Sequence, residues 1–83
     1  MKKPTSLTAR QVFARNLRRY RRIRDVSQEE LALQAGLSRS YLSGIEREIR
    51  NVSIDNMGIL ASALDVPLKD LVDPDLFNSV DKR

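Results

Sequence analysis

Arg39, Ser40, Ser43 and Arg47 recur along one side of a short helix-forming stretch, and Arg50, Asn51 and Ser53 follow it in a polar loop. These side chains are suited to donating hydrogen bonds rather than to making and breaking covalent bonds. A guanidinium is a planar fork that fits a carboxylate, a phosphate, or the O6 and N7 acceptors of a guanine. Serine is short enough to let its own backbone lie close to whatever it touches. Other chemistries are poorly served. The chain has no cysteine and no histidine, which removes disulfides, thiol chemistry, Cys-based zinc sites, and the commonest general base and metal ligand. No paired carboxylate or serine constellation takes their place. The expectation is a binding protein that is not an enzyme and holds no metal or cofactor.

The charge is laid out to suit a polyanion. Residues 1–24 hold Lys2, Lys3, Arg10, Arg15, Arg18, Arg19, Arg21, Arg22 and Arg24 and no acid, whereas the remaining chain holds six basic and eleven acidic side chains. A segment of +9 thus precedes one of −5, within a net charge of +4. Such asymmetry points to one face turned toward a polyanion and an opposite end kept away from it. No apolar stretch of a secretory signal follows the basic start, and no run is long enough to span a bilayer. A basic membrane-surface helix over residues 9–24 is disfavoured, because Phe13, Leu17 and Tyr20 are needed for a core. The expected location is the cytoplasm, in association with the nucleoid.

Eighty-three residues make one small domain whose stability must come from its core. Residues 1–8 read as a mobile basic arm. Thr8 can cap a first helix running to about residue 24, with Phe13, Leu17 and Tyr20 on one face. Ser27 with Glu30 forms a Ser-x-x-Glu capping box opening a second helix, Gln28 to Ala35. Gly36 can take the left-handed conformation that ends it, and Ser38 caps a third helix, about Arg39 to Arg47, whose buried side is Leu42 and Ile45. Gly44 falls on its outer side, where its smallness suits close approach. Ser53 caps a fourth helix, Ile54 to about Leu64, with Ile54, Met57, Leu60, Ala61 and Leu64 facing inward. Pro67 suits the first turn of a short fifth helix ending at Val72, and Pro74 stops its continuation. The fold class is all-α, with five short helices.

Four strings carry a family resemblance: S-Q-E-E-L-A from Ser27, A-G-L-S from Ala35, Y-L-S-G-I-E-R from Tyr41 and R-N-V-S from Arg50. The chain resembles the lambda-repressor-like, or XRE-type, helix-turn-helix regulators over residues 9–73. Within them it is most similar to the small controller proteins of restriction–modification systems. The resemblance implies a five-helix DNA-binding domain with its helix-turn-helix at about residues 28–47, acting as a transcriptional regulator. In such a unit the second helix enters the major groove with its N-terminal residues on base edges. Arg39, Ser40 and Ser43 are the candidates for base contact. Tyr41 either joins them, reaches a phosphate, or covers the core edge. Gln28 is placed by the family pattern on a backbone phosphate, and Ser38, Arg47, Arg50, Asn51 and Ser53 are further candidates for holding the DNA backbone. Arg21 and Glu46 match family positions that form a partly buried ion pair tying the first helix to the third. The chain departs from its relatives at Asp25, Glu48 and Asp65, where glycine commonly ends a helix. Glu48 adopts a left-handed conformation least readily, which leaves the loop at 47–51 open.

One such unit reads only a few base pairs, and a two-fold dimer would read a (pseudo)palindromic operator. The acidic C-terminal part is the expected place for that contact. Leu68, Leu71, Val72, Leu76 and Phe77 exceed what a fifth helix needs for its own packing, although a tail folded over the monomer core would use them equally well. The partners implied are double-stranded DNA and a second copy of the chain, with RNA polymerase or a cognate toxin as further candidates. The competing class is an antitoxin or accessory module whose hydrophobic tail binds another protein.

Overall fold

The starts of the first four helices are each set by a side chain that accepts a hydrogen bond from an otherwise orphaned backbone N–H. In the computed structural model, which describes residues 7–77, the helices are α1 (Ala9–Ile23), α2 (Gln28–Ala35), α3 (Arg39–Glu46), α4 (Ile54–Leu64) and α5 (Leu68–Leu71). Residues 1–6 of the expected arm and 78–83 of the tail lie outside the described residues. Thr8, Ser27, Ser38 and Ser53 sit in extended conformation before α1 to α4, and each hydroxyl accepts from the N–H three residues on, at 3.0–3.1 Å. Ser27 and Glu30 close the expected capping box, and Thr8 with Gln11 closes a second one. The Ser27 backbone N–H, at 2.9 Å, and then its hydroxyl hold the Glu30 carboxyl below its ordinary value.

The helix ends share one device. At the close of α1, α2, α3 and α4 the left-handed residue is Asp25, Gly36, Glu48 and Asp65, with φ of 57°, 69°, 70° and 59°. Around each, paired bonds run back to two orphan carbonyls, as from Leu37 N to Ala32 O and Gly36 N to Leu33 O, or from Ile49 N to Gly44 O and Glu48 N to Ile45 O. This is the Schellman arrangement. Its usual companion is an apolar contact from the residue after the left-handed one. Val26, Leu37 and Val66 make that contact with the core, whereas Ile49 is 62% exposed. The α3 terminus is therefore the exception twice over, in having a glutamate where Gly or Asp would be easier and in leaving Ile49 outside.

Phe13, Leu17, Leu31, Leu42, Ile45, Leu60 and Leu71 are the large side chains sealed inside. α2 packs on both α3 and α4, and α1 packs on α3 and α5, so the helix-turn-helix pair is held from behind by α1 and α4. The buried face of α1 is wider than the Phe13, Leu17, Tyr20 stripe, since Val12, Ala14 and Asn16 are also covered. The Asn16 amide donates to the carbonyls of Asp70, Leu71 and Asp73 at 3.1, 3.2 and 2.8 Å. A single buried side chain thus supplies donors to the end of α5, whose carbonyls have no helical partners.

Several expectations are corrected by this packing. Ile54 is 68% exposed, because as the first residue of α4 it overhangs the end of the interface, and the inward stripe begins one turn later at Met57. Helix α5 is shorter than expected, with Pro67 at its N-cap and Val72 at its C-cap. Leu71 is wholly inside the single chain's core, so it offers no surface to a second copy. Phe77 lies back on α1, its ring 5.7 Å from that of Tyr20 in an edge-on contact and 5.1 Å from the Arg19 guanidinium. The Tyr20 hydroxyl donates to the Asp70 carboxylate at 3.0 Å, and burial followed by this bond raises its pKa.

Candidate nucleic-acid interface

Helix α3 is amphipathic along its whole length. Leu42, Gly44, Ile45 and Glu46 are covered, Ser43 is half-covered, and Arg39, Ser40 and Arg47 are exposed. Eight residues at about 1.5 Å each give a length of about 12 Å. An α-helix with its side chains is about 10–12 Å across, a size that the ≈ 12 Å major groove of B-DNA admits.

At the first end, Arg39 is the base-reading candidate, and its Nε donates to Gln28 Oε1 at 3.4 Å. Gln28 in turn donates from Nε2 to Glu46 Oε1 at 3.1 Å. Glu46 is held by Arg21 in a bidentate fork, Nε to Oε2 at 2.8 Å and Nη2 to Oε1 at 3.0 Å, while Arg21 Nη1 reaches the Val26 carbonyl at 3.0 Å. Hydrogen bonding to Glu46 raises the Arg21 pKa against the opposing cost of burial. The pair has side-chain exposures of 15% and 4%, so Glu46 is turned inward, away from the surface that carries Arg39. The Arg39, Gln28, Glu46 and Arg21 side chains thus form one continuous chain from the surface into the scaffold. The sequence suggested the Arg21–Glu46 contact but gave no sign that Gln28 would join it to Arg39.

At the other end, the loop after α3 is fastened from three sides. Arg18 donates to the Glu46 carbonyl and pairs with the Glu48 carboxylate at 3.5 Å. Arg10 donates from Nη2 to Asn51 Oδ1. The Tyr41 hydroxyl donates to the Asn51 carbonyl at 3.4 Å and accepts from Asn56 Nδ2 at 3.2 Å, so its phenol lies against the loop at the core edge. A β-carbon on Gly44 would overlap the Cγ of Arg50. Gly44 is buried, and its small size admits the alkyl chain of Arg50 rather than leaving an open outer face; the expectation of close approach there is replaced by this internal contact.

Ser38 and Ser53 spend their oxygen lone pairs on the caps of α3 and α4. A hydroxyl has one donor besides its acceptor sites, so each retains a proton for an external oxygen. Ser38, Ser53, Arg47, Arg50 and Asn51 are all exposed. Arg10, Asn16, Arg18 and Asn56 were missed as contributors. Asn16 had a signal, a polar residue inside the apolar stripe of α1, and Arg18 lies one turn from Arg21 on the same helix face. Arg10 and Asn56 are revealed only by tertiary contact. Among the described residues no cluster of acidic side chains could hold a metal ion, and no helix is long and apolar enough to cross a membrane.

Known proteins share this fold. Control protein C.SmaI of Serratia marcescens is 41% identical over 63 residues, covering 76% of this chain and 75% of that protein. The solved structure of the restriction-modification controller protein C.AhdI from Aeromonas hydrophila superposes with a TM-score of 0.72 at 45% identity, over 75% of this chain and 94% of that one. A structure of SinR, described as the master regulator for biofilm formation, in complex with DNA gives 0.70 at 37% identity, over 74% of this chain and 98% of that one. The helix-turn-helix family profile, HTH_3, matches residues 17–71. The chain belongs to the XRE-type helix-turn-helix family and has restriction–modification controller proteins among its near relatives.

Proposed function

We infer that this protein is a sequence-specific double-stranded DNA-binding transcriptional regulator, with α3 as the helix that enters the major groove. The observation that carries this reading is the disposition of α3, which leaves Arg39, Ser40 and Arg47 exposed beside the exposed Arg50 and Asn51 of the following loop, while the one acid of the helix, Glu46, is turned inward. Arg39, with Ser40 and Ser43 beside it, reads bases. Gln28, Ser38, Arg47, Arg50, Asn51 and Ser53 hold phosphates on either side. Tyr41 contributes through the loop it positions, its hydroxyl held between the Asn51 carbonyl and the Asn56 amide. Likeness to a protein solved with DNA supports the DNA-binding reading.

The finer reading is a homodimer on a (pseudo)palindromic operator, regulating its own operon, by likeness to controller proteins. Residues 9–73 act as the reading unit. Leu68, Val72 and Leu76 remain as the apolar groups at the acidic end that a second copy could cover, with Val72 44% exposed.

Arg39→Ala should lose about 1–3 kcal/mol of discrimination at one base position of each half-site. Arg50→Ala should instead weaken binding to all duplexes alike and flatten the salt dependence. Titration of both variants against a preferred duplex, its single-base variants and a random duplex distinguishes the two roles. If both variants bind every duplex as the wild type does, the assigned surface is wrong.

A further inference from the structure

Three arginines of α1 reach toward α3 and the loop after it, in two different ways. Arg18 and Arg21 turn toward the carboxylates of Glu48 and Glu46 and hold the end of α3. Arg10, on the first turn of α1, pairs with no carboxylate among the described residues. Its contact is the Asn51 side-chain oxygen, forty-one positions away in sequence. Both residues are exposed, and the recess they border is otherwise lined by Ala9, Phe13, Val52 and Met57. An apolar lining gives the guanidinium no competing anion. A guanidinium has five N–H donors in a fixed fork, and one carboxamide oxygen engages only one edge of it.

We propose that Arg10 is a DNA-phosphate ligand. Its guanidinium and the Asn51 amide donate to one phosphate beside the groove entered by α3, and α1 thereby grips the DNA backbone directly. The inference rests on the DNA-binding reading above and extends it to a helix that reading used only as scaffold. Two features favour this role over that of a loop strut. The loop has other ties, through Arg18 to Glu48 and the Glu46 carbonyl and through Tyr41 to the Asn51 carbonyl, so Arg10 is not its sole strut. Arg10 and Asn51 together place a full positive charge and an amide donor side by side next to Arg50 and Ser53. Accepting from Arg10 occupies the Asn51 oxygen, which leaves its amide hydrogens for an outside acceptor.

The test measures affinity for a duplex selected from a random pool, between 50 and 200 mM salt, for the wild type, Arg10→Gln and Arg10→Lys. Glutamine keeps a shorter amide donor but carries no charge, whereas lysine keeps the charge. Each phosphate neutralised adds about 0.9 to the magnitude of the slope of log K against log salt, so Arg10→Gln should lose about 3.5-fold less affinity across that range than the wild type. Arg10→Lys should keep the wild-type slope. A steep wild-type slope that Arg10→Gln leaves unchanged overturns the role of Arg10 alone. A wild type that binds no duplex, with no salt dependence to measure, overturns the DNA-binding reading itself.

Discussion

Replacing Glu46 with alanine should destabilise the protein by about 3–5 kcal/mol, the usual cost of stranding a charge whose buried partner has been removed. Arg21 cannot lose its proton to relieve the strain, because a guanidinium keeps its charge in proteins even without this bond. It would be left with the Val26 carbonyl as its remaining partner, and Gln28 Nε2 would lose its acceptor as well. Urea unfolding of Glu46→Ala against the wild type measures the loss. Glu46→Gln, which keeps one acceptor oxygen, should lose less. Replacing Arg21 and Glu46 together by apolar residues of similar volume should be far milder than either single deletion, because no charge is then left behind. A loss below about 1 kcal/mol for Glu46→Ala would mean that the pair behaves as a solvated surface bridge.

Leu71→Ala should cost about 2–5 kcal/mol, as for a fully buried leucine that leaves a cavity. Leu71 is sealed in the core beneath the α5 carbonyls that Asn16 holds. The neighbouring Val72 is 44% exposed, and Val72→Glu should change monomer stability by no more than about 0.5 kcal/mol. The two variants separate core from interface. Sedimentation over a range of concentrations should show Val72→Glu weakening self-association with its fold intact, while Leu71→Ala shifts the unfolding midpoint instead. Wild-type stability in Leu71→Ala, coupled with dissociation, would return Leu71 to the interface.

The starts of α1 to α4 were legible because each depends on local chemistry, a serine or threonine whose hydroxyl accepts from an N–H three residues on. Gly36 was legible for the same reason. The bracing pair of Arg21 and Glu46 was reached by family resemblance, because two charges twenty-five positions apart carry no local signal of contact. The link through Gln28 to Arg39 was not legible for that reason. Ile54 shows a different limit: periodicity gives the direction in which a side chain points but not whether a neighbouring helix extends far enough to cover it. Gly44 was placed on an outer face because a third helix was considered alone, and the alkyl chain that fills the space comes from Arg50, beyond a left-handed Glu48. The C-terminal leucines and Phe77 were ambiguous between tail and interface, since burial against α1 and burial against a second copy need the same side chains. The fold resolves that for Leu71 through Asn16, whose amide fastens the end of α5.

The central claim is that α3 reads a DNA sequence, and its most direct test is selection of duplexes from a random pool by the wild-type protein. The account predicts enrichment of two inverted half-sites with centres about 34–36 Å apart, or a multiple of that spacing. Each should contain a guanine whose replacement removes the difference between wild type and Arg39→Ala. Retained duplexes with no sequence in common, bound equally well by Arg39→Ala, would contradict it.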